Sequence, residues 1–137
     1  MKVTLDTNVL VSGTFWSGDS FKVLEHIEQK KIINVISQDI LQEYKEVLQR
    51  KEIISKIENK NLVVSNVSKH IESNSLIVYP RNKITLMKED SDDTIILSCA
   101  KEGKADYIIT NDNHLLKLKE FEKIKIVTPS EFLKLLN

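Results

Sequence analysis

The chain contains few of the residues that cross-link or interrupt a fold: one cysteine, two prolines and three glycines among 137 residues. A single cysteine, Cys99, excludes an internal disulfide and is typical of proteins in a reducing compartment. Cys99 lies in an apolar helical run, so we expect it to be buried in the core. With so little Pro and Gly, and without repeats or low-complexity segments, the sequence predicts one domain over residues 1–137.

Long apolar runs and an excess of charge are missing as well. No run approaches the ~18 residues that a membrane span needs, and strand-like sequence begins where a signal peptide would have its apolar core. We therefore expect a cytoplasmic protein without a membrane partner. The 20 basic and 20 acidic residues cancel, so net charge neither favours nor excludes a nucleic acid or another anionic partner.

Strand-like and helix-like segments alternate along the chain. β-Branched residues predict a buried strand over residues 3–11, followed by a loop over residues 12–19. Four more strands are predicted over residues 32–36, 76–79, 107–110 and 124–127. Helices are predicted over residues 21–31, 38–50, 53–72, 93–102, 114–120 and 130–136, with an acidic loop over residues 83–93. This alternation predicts an α/β fold, a three-layer α/β/α sandwich with a central parallel sheet.

Four acidic residues stand beside apolar segments, where a plain core would have none. Asp6 and Asp112 follow predicted strands, and parallel sheets bind ligands outside the carboxyl ends of their strands. Asp93 lies on the apolar face of its predicted helix, and Glu43 lies at the edge of the apolar stripe of another. Each has a simpler explanation: a turn cap for Asp6 and Asp112, a helix-dipole residue for Asp93 and a solvated flank for Glu43.

The four acids taken together favour a metal site. Carboxylates beside apolar surface are costly unless a positive charge pairs with them, and no basic residue stands beside all four in sequence. Oxygen ligands suit Mg²⁺ or Mn²⁺ rather than zinc. The three histidines are dispersed and lack the ligand spacing of a zinc site, and the sequence has neither a nucleophile elbow nor a glycine-rich phosphate loop. Those histidines are His26, His70 and His114.

Four ordered segments also resemble the acidic motifs of PIN-domain nucleases. They are residues 5–12 (LDTNVLVS), 37–48 (SQDILQEYKEVL), 88–100 (KEDSDDTIILSCA) and 105–116 (ADYIITNDNHLL). The acidic position of each motif falls on Asp6, Glu43, Asp93 and Asp112 in turn. The similarity spans nearly the whole chain in the correct order, and it is closest to the prokaryotic subgroup described as toxin components of toxin–antitoxin pairs. Two positions depart from the usual pattern: His114 stands where another Asp is frequent, and Ser91 where Pro is frequent.

The resemblance implies a PIN-like, Rossmann-like fold and hydrolysis of phosphodiester bonds in single-stranded RNA. Asp6, Glu43, Asp93 and Asp112 would be both the catalytic and the metal-binding residues, for one or two Mg²⁺ or Mn²⁺ ions. It further implies a homodimer and a cognate antitoxin protein, as in a type II pair. Asn8 and Thr110 are candidates for hydrogen bonds that orient the acids, although ordinary strand-end bonding explains them as well.

Two alternative functions remain open from sequence. The first is a PIN-like module that binds RNA or a protein without cutting, which loss of an acid would favour. The second is an aspartate-based phosphatase with Asp6 as nucleophile, although Asn8 stands where that chemistry expects a second Asp. Phe15 and Trp16, predicted to lie on a loop near the site, are suited either to stacking on an unpaired base or to packing in a lid or dimer core.

Overall fold

The computed structural model describes residues 1–59, 64–81 and 91–136. Within them, six strands form one sheet: β1 (Lys2–Leu5), β2 (Ile33–Ser37), β3 (Ser75–Val78), β4 (Tyr107–Ile109), β5 (Glu120–Phe121) and β6 (Ile124–Val127). Their order in the sheet is β3-β2-β1-β4-β6-β5. All neighbouring strands are parallel except β5 and β6, which are antiparallel.

Helices connect the strands and flank the sheet, so the predicted α/β sandwich is confirmed. The helices in the described residues are α1 (Thr7–Phe15), α2 (Asp19–Glu28), α3 (Gln38–Val47), α4 (Lys51–Asn59), α5 (Val64–Ser73), α6 (Ser91–Glu102), α7 (Asn113–Leu116) and α8 (Pro129–Leu136). Helix α6 packs on β1, β2 and β4, while α3 packs on β2 and on the neighbouring helices α1, α5 and α6. None of the helices in these described ranges combines the length and apolar character that crossing a bilayer demands.

Helix α3 begins where the sequence predicts. The Ser37 hydroxyl accepts a hydrogen bond from the Ile40 N–H at 3.2 Å and thereby caps the first turn. The predicted apolar stripe is buried, with Tyr44 fully inaccessible to solvent. Ser37 therefore closes strand β2 and starts the helix that carries Glu43.

The prediction of a strand over residues 3–11 is wrong beyond Leu5. The chain leaves the sheet at Asp6, whose carbonyl accepts hydrogen bonds from the N–H groups of Val9 and Leu10, and α1 follows at once. Residues on several sides of this helix are buried, so its sequence lacks the one-sided periodicity of a surface helix. Burial of this segment outweighs the strand propensity of its β-branched residues, so the segment is helical. The predicted loop over residues 12–19 therefore begins only after Phe15.

Three other predicted segments differ from the structure or lie partly outside its described residues. The predicted helix over residues 53–72 corresponds to α4 and α5, and residues 60–63 between them lie outside the described part. The predicted helix over residues 114–120 is one turn, α7, followed by the two-residue strand β5, which is too short to leave an alternating pattern. Most of the predicted acidic loop over residues 83–93 also lies outside the described residues, and residues 91–93 form the first turn of α6.

Cys99 is buried in the core on α6, as predicted. Burial raises the pKa of its thiol to about 11, so the thiol is protonated and unreactive at neutral pH. The Cys99 thiol packs against the main chain of β2 and lies 3.6 Å from the Val35 carbonyl oxygen. This contact helps to fix α6, and with it Asp93, against the sheet.

Gly103 ends α6 at a point of very close packing. A Cβ atom at this position would lie 2.1 Å from Val35 Cγ1, so we expect Gly103→Ala to lower the free energy of unfolding by about 1–3 kcal/mol. In a Val35→Ala background the same substitution should cost much less, because the clashing methyl group is gone. Urea unfolding of the four proteins of this double-mutant cycle measures the difference. Equal costs in both backgrounds would contradict the packing explanation.

Candidate active site

Asp6 and Thr110 lie side by side at the carboxyl edge of the sheet. Strands β1 and β4 are parallel neighbours with Leu5 opposite Ile109, so the residue after each strand emerges at the same edge. The Asp6 N–H donates to the Ile109 carbonyl at 3.1 Å, which extends the pairing by one residue. The two strand ends therefore fix the backbone on both sides of the site.

The Thr110 hydroxyl links two of the predicted acids. It donates a hydrogen bond to Asp6 Oδ2 at 2.8 Å and accepts one from the Asp112 N–H at 2.9 Å. Thr110 is fully buried, so water does not compete for these bonds. These bonds are of the kind that the sequence analysis considers for Thr110, and its role in orienting the acids stays a prediction.

Asp112 caps the short helix α7. Its Oδ1 atom accepts a hydrogen bond from the His114 N–H at 2.8 Å, and its side chain is 34% exposed. The turn-capping explanation is therefore correct for the Oδ1 atom of Asp112. It leaves a second carboxylate oxygen for another partner.

Asp93 belongs to another element, helix α6, and lies close to Asp112. It lies in the first turn of α6 and is only 2% exposed. Among the described residues, Asp93, Asp112 and His114 form a group whose nearest side-chain donor atoms all lie within 4.8 Å of one another. Two separate elements, α6 and the β4–α7 connection, therefore converge on Asp112.

His114 is the residue of this cluster that the sequence does not predict as a ligand. From sequence it is one of three dispersed histidines and stands where another Asp is frequent in the fourth motif, whereas the structure places it beside Asp93 and Asp112. That motif position, two residues after Asp112, was the available signal. That spacing allows the Asp112 carboxylate to hold the His114 main chain while both side chains remain on the same side of the turn.

Glu43 and Asn8 are not members of the group formed by Asp93, Asp112 and His114 among the described residues. Glu43 is half-buried on α3, which packs against α6, the helix of Asp93. Helix α3 is also tied to α1, because the Tyr44 and Thr14 hydroxyls are 2.8 Å apart. The side chain of Asn8 is exposed, and this residue acts on Asp6 through its main-chain N–H. The roles of both residues stay predictions.

The electrostatics of Asp6 disfavour a negative charge. Burial raises the pKa of its carboxyl above the usual value, and repulsion from Asp112 adds to the rise. The hydrogen bond from Thr110 and the main-chain N–H groups of Asn8 and Thr7 oppose it only in part. Among the described residues no basic side chain contributes to this balance, so a bound cation is the partner that would make the ionised form favourable.

The donor set fits a divalent cation. Carboxylate oxygens are ligands that such ions prefer, and the imidazole of His114 adds a nitrogen donor. Two atoms that each lie about 2.1 Å from one ion are at most about 4.2 Å apart. Separations of up to 4.8 Å therefore need only a small rotation of the exposed His114 ring or of Asp112 to close around an ion.

The two aromatic residues predicted to lie near the site do not. Phe15 is buried at the end of α1, and Trp16 follows it with 44% exposure. Helix α1 has nine residues, which separates its end from Asp6 by about 13 Å. The Lys56 Nζ lies over one face of the Trp16 ring, 4.4 Å from the ring centre. Packing, rather than stacking on a base at the site, accounts for both residues.

Comparison with known proteins identifies the family. A family model described as the PIN domain matches residues 2–114, so the chain belongs to the PIN-domain family. Its structure is similar to a chain in the crystal structure of VapBC2 from Rickettsia felis bound to a DNA fragment from their promoter. That likeness has a TM-score of 0.63 at 19% identity and covers 92% of this chain and 97% of that chain, which supports the fold. No curated protein matches the chain.

The raised pKa of Asp6 predicts how stability depends on pH without metal. Between the ordinary Asp value of 3.8 and the raised value, the native state binds more protons than the unfolded state, so stability falls as pH rises through this window. Asp6→Asn should therefore raise the melting temperature of the metal-free protein at pH 7 and flatten this part of the profile. Melting in EDTA from pH 4 to 8 measures both effects.

Asp106→Asn is the matched control for this prediction. Asp106 is exposed and accepts a hydrogen bond from the Lys2 N–H at the opposite edge of the sheet. Its replacement should leave the pH profile between pH 4 and 8 unchanged. A lower melting temperature for Asp6→Asn in EDTA would mean that this carboxylate is a structural cap and not a ligand held ready for a cation.

Proposed function

We propose that residues 1–137 form one metal-dependent ribonuclease domain that hydrolyses phosphodiester bonds of single-stranded RNA. The observation that carries the proposal is that Asp6 and Asp93 both lie near Asp112, Asp6 through the Thr110 hydroxyl and Asp93 in the group with Asp112 and His114. Asp6 and Asp112 follow strands at the edge where parallel sheets bind ligands, Asp93 is buried and Asp6 is half-buried. Membership of the PIN-domain family supports a nuclease over other uses of such a cluster.

The proposed mechanism assigns each acid a position around Mg²⁺ or Mn²⁺. Asp6, Asp93 and Asp112 would hold the ion, with Glu43 on α3 as the fourth acid that the family resemblance supplies. Such an ion lowers the pKa of a bound water and neutralises charge on the phosphoryl group. Thr110 keeps the Asp6 carboxylate turned toward the site and holds the main chain of Asp112 beside it. This arrangement preorganises the site before substrate binds.

The biological setting we propose is a type II toxin–antitoxin pair. The resemblance of the four motifs to toxin components supports it, as does the structural likeness to a chain of a VapBC2 complex. The partner would then be a cognate antitoxin protein, and the chain would act in the cytoplasm. The rival proposal, a PIN-like module that binds RNA or protein without cutting, is separated from a nuclease by a cleavage assay.

Removing one acid should abolish cleavage. We expect Asp93→Asn and Asp6→Asn each to slow Mn²⁺-dependent cleavage of an unstructured RNA oligonucleotide by at least about 100-fold, because each removes charge that the transition state needs. Asp106→Asn should cleave normally. Saturating Mn²⁺ should also stabilise the wild type by about 2.7 kcal/mol at a hundredfold excess over its dissociation constant, and the two active-site variants by less.

Three outcomes would count against parts of this assignment. Near wild-type cleavage by one of the acid variants removes that residue from the mechanism. RNA binding without cleavage under any divalent ion favours the binding module. A phosphorylated Asp6 trapped from a phosphate ester would favour the aspartate-based phosphatase instead.

A homodimer is part of the same proposal. Trp16 and Phe21 leave apolar surface exposed between α1 and α2, and a cavity of about 370 Å³ opens beside Phe21, Leu24 and Val67. An interface over this region would bury roughly 1,200–2,000 Å² in total if it is specific. We expect light scattering at micromolar concentration to give twice the monomer mass of 15.8 kDa, and Phe21→Gln to weaken the association.

Ile33→Thr is the control for the dimer experiment. Ile33 is as exposed as Phe21, at 46% against 43%, but it lies at the start of β2. The substitution keeps a β-branched residue in the strand and should not change the mass. A monomer for the wild type would discard the dimer and leave the nuclease proposal standing.

A further inference from the structure

His114 stands where the proposed ion would bind. Its ring lies in the group formed with Asp93 and Asp112, whose donor atoms are within 4.8 Å of one another. The His114 main chain is fixed by its hydrogen bond to Asp112 Oδ1 at 2.8 Å. The ring itself is 70% exposed, and its Nδ1 is 3.8 Å from the same oxygen, too far for a hydrogen bond. The ring is therefore positioned by its backbone and can still turn toward an ion.

A nitrogen donor changes which ions a site prefers. Mg²⁺ takes oxygen ligands almost exclusively and keeps much of its water. Imidazole suits first-row transition ions, and the affinity of a mixed nitrogen and oxygen site rises from Mn²⁺ through Fe²⁺ and Co²⁺. A ligand set of two carboxylates and one imidazole thus discriminates between Mg²⁺ and these transition ions. Carboxylates alone discriminate between them poorly.

We propose that His114 is a metal ligand, together with Asp93 and Asp112, and that it gives the site a preference for a first-row transition ion over Mg²⁺. The catalytic meaning of this preference rests on the proposed nuclease function, whereas the binding itself does not. The competing explanation is that His114 is a solvated side chain, held near the acids only because Asp112 caps its turn.

Direct binding measurements separate the two explanations. Dissociation constants for Co²⁺, Mn²⁺ and Mg²⁺ are measured by calorimetry for the wild type, His114→Asn and His114→Asp. We expect His114→Asn to weaken Co²⁺ binding by at least about tenfold, since even the hydrogen-bonding partners of metal ligands change affinity by roughly 10- to 100-fold. Mg²⁺ binding should change little in this variant. His114→Asp should bind Mg²⁺ more tightly and lower the selectivity for Co²⁺.

A spectroscopic signal and a control variant make the experiment specific. In the Co²⁺ protein, a ligating imidazole gives a strongly shifted, exchangeable N–H resonance in the proton NMR spectrum, which His114→Asn should remove. His26→Asn changes a histidine on α2 whose Nδ1 contacts the Lys22 carbonyl oxygen, and it should alter neither the spectrum nor the affinities.

The outcomes distinguish this proposal from the proposed function. An unchanged ratio of Co²⁺ to Mg²⁺ affinity in His114→Asn, with binding still lost in Asp93→Asn, overturns the role of His114 and leaves the metal site intact. Loss of selectivity in His114→Asn without any RNA cleavage by the wild type supports the ligand but contradicts the nuclease. A wild type that binds none of the three ions overturns both.

Discussion

The parallel pairing of β1 with β4 is the constraint on which the candidate site depends. Because Leu5 lies opposite Ile109, Asp6 and Thr110 leave the sheet next to each other, and the Thr110 hydroxyl can bond to one acid and to the main chain of the next. A shift of one residue in this register would turn the hydroxyl to the opposite face. The position of Asp112, and then of His114, follows from the same two strand ends.

In the protein without metal, the position of Asp6 between the strand ends makes its ionised carboxylate unfavourable. Asp6 lies at the start of α1, where main-chain N–H groups favour a negative charge, yet burial and Asp112 still raise its pKa. The helix end lowers the cost of the buried carboxylate without removing it. Carboxyl groups with a raised pKa are common at functional sites, where the surrounding structure holds them in place. Here the surrounding strands, together with α6 packed on β1, β2 and β4, provide that support.

Sequence alone predicted the fold class and the start of helix α3 at residue 38, but it missed two features for physical reasons. The stretch after Asp6 is buried on several sides, so composition predicted a strand where main-chain hydrogen bonds to the Asp6 carbonyl start a helix. His114 was missed because its partners Asp93 and Asp112 come from different elements, and only tertiary structure brings them together. The locations of Asp6, Asp112 and Thr110 could be predicted because a parallel sheet places consecutive strand ends at one edge.

The surroundings of the site bear on how an RNA strand would be held there. Trp16 follows the far end of α1 from Asp6, so a base held beside Asp6 would not reach its ring. The exposed residues near Asp6 and Asp112 in sequence include three neutral amides, Asn8, Asn111 and Asn113. In the proposed reaction, amides would contact the sugar and phosphate groups through hydrogen bonds, and the bound ion would supply the positive charge. Ion binding and substrate binding would then be coupled. The acidic edge would attract a phosphate group only after the bound ion has neutralised the carboxylates.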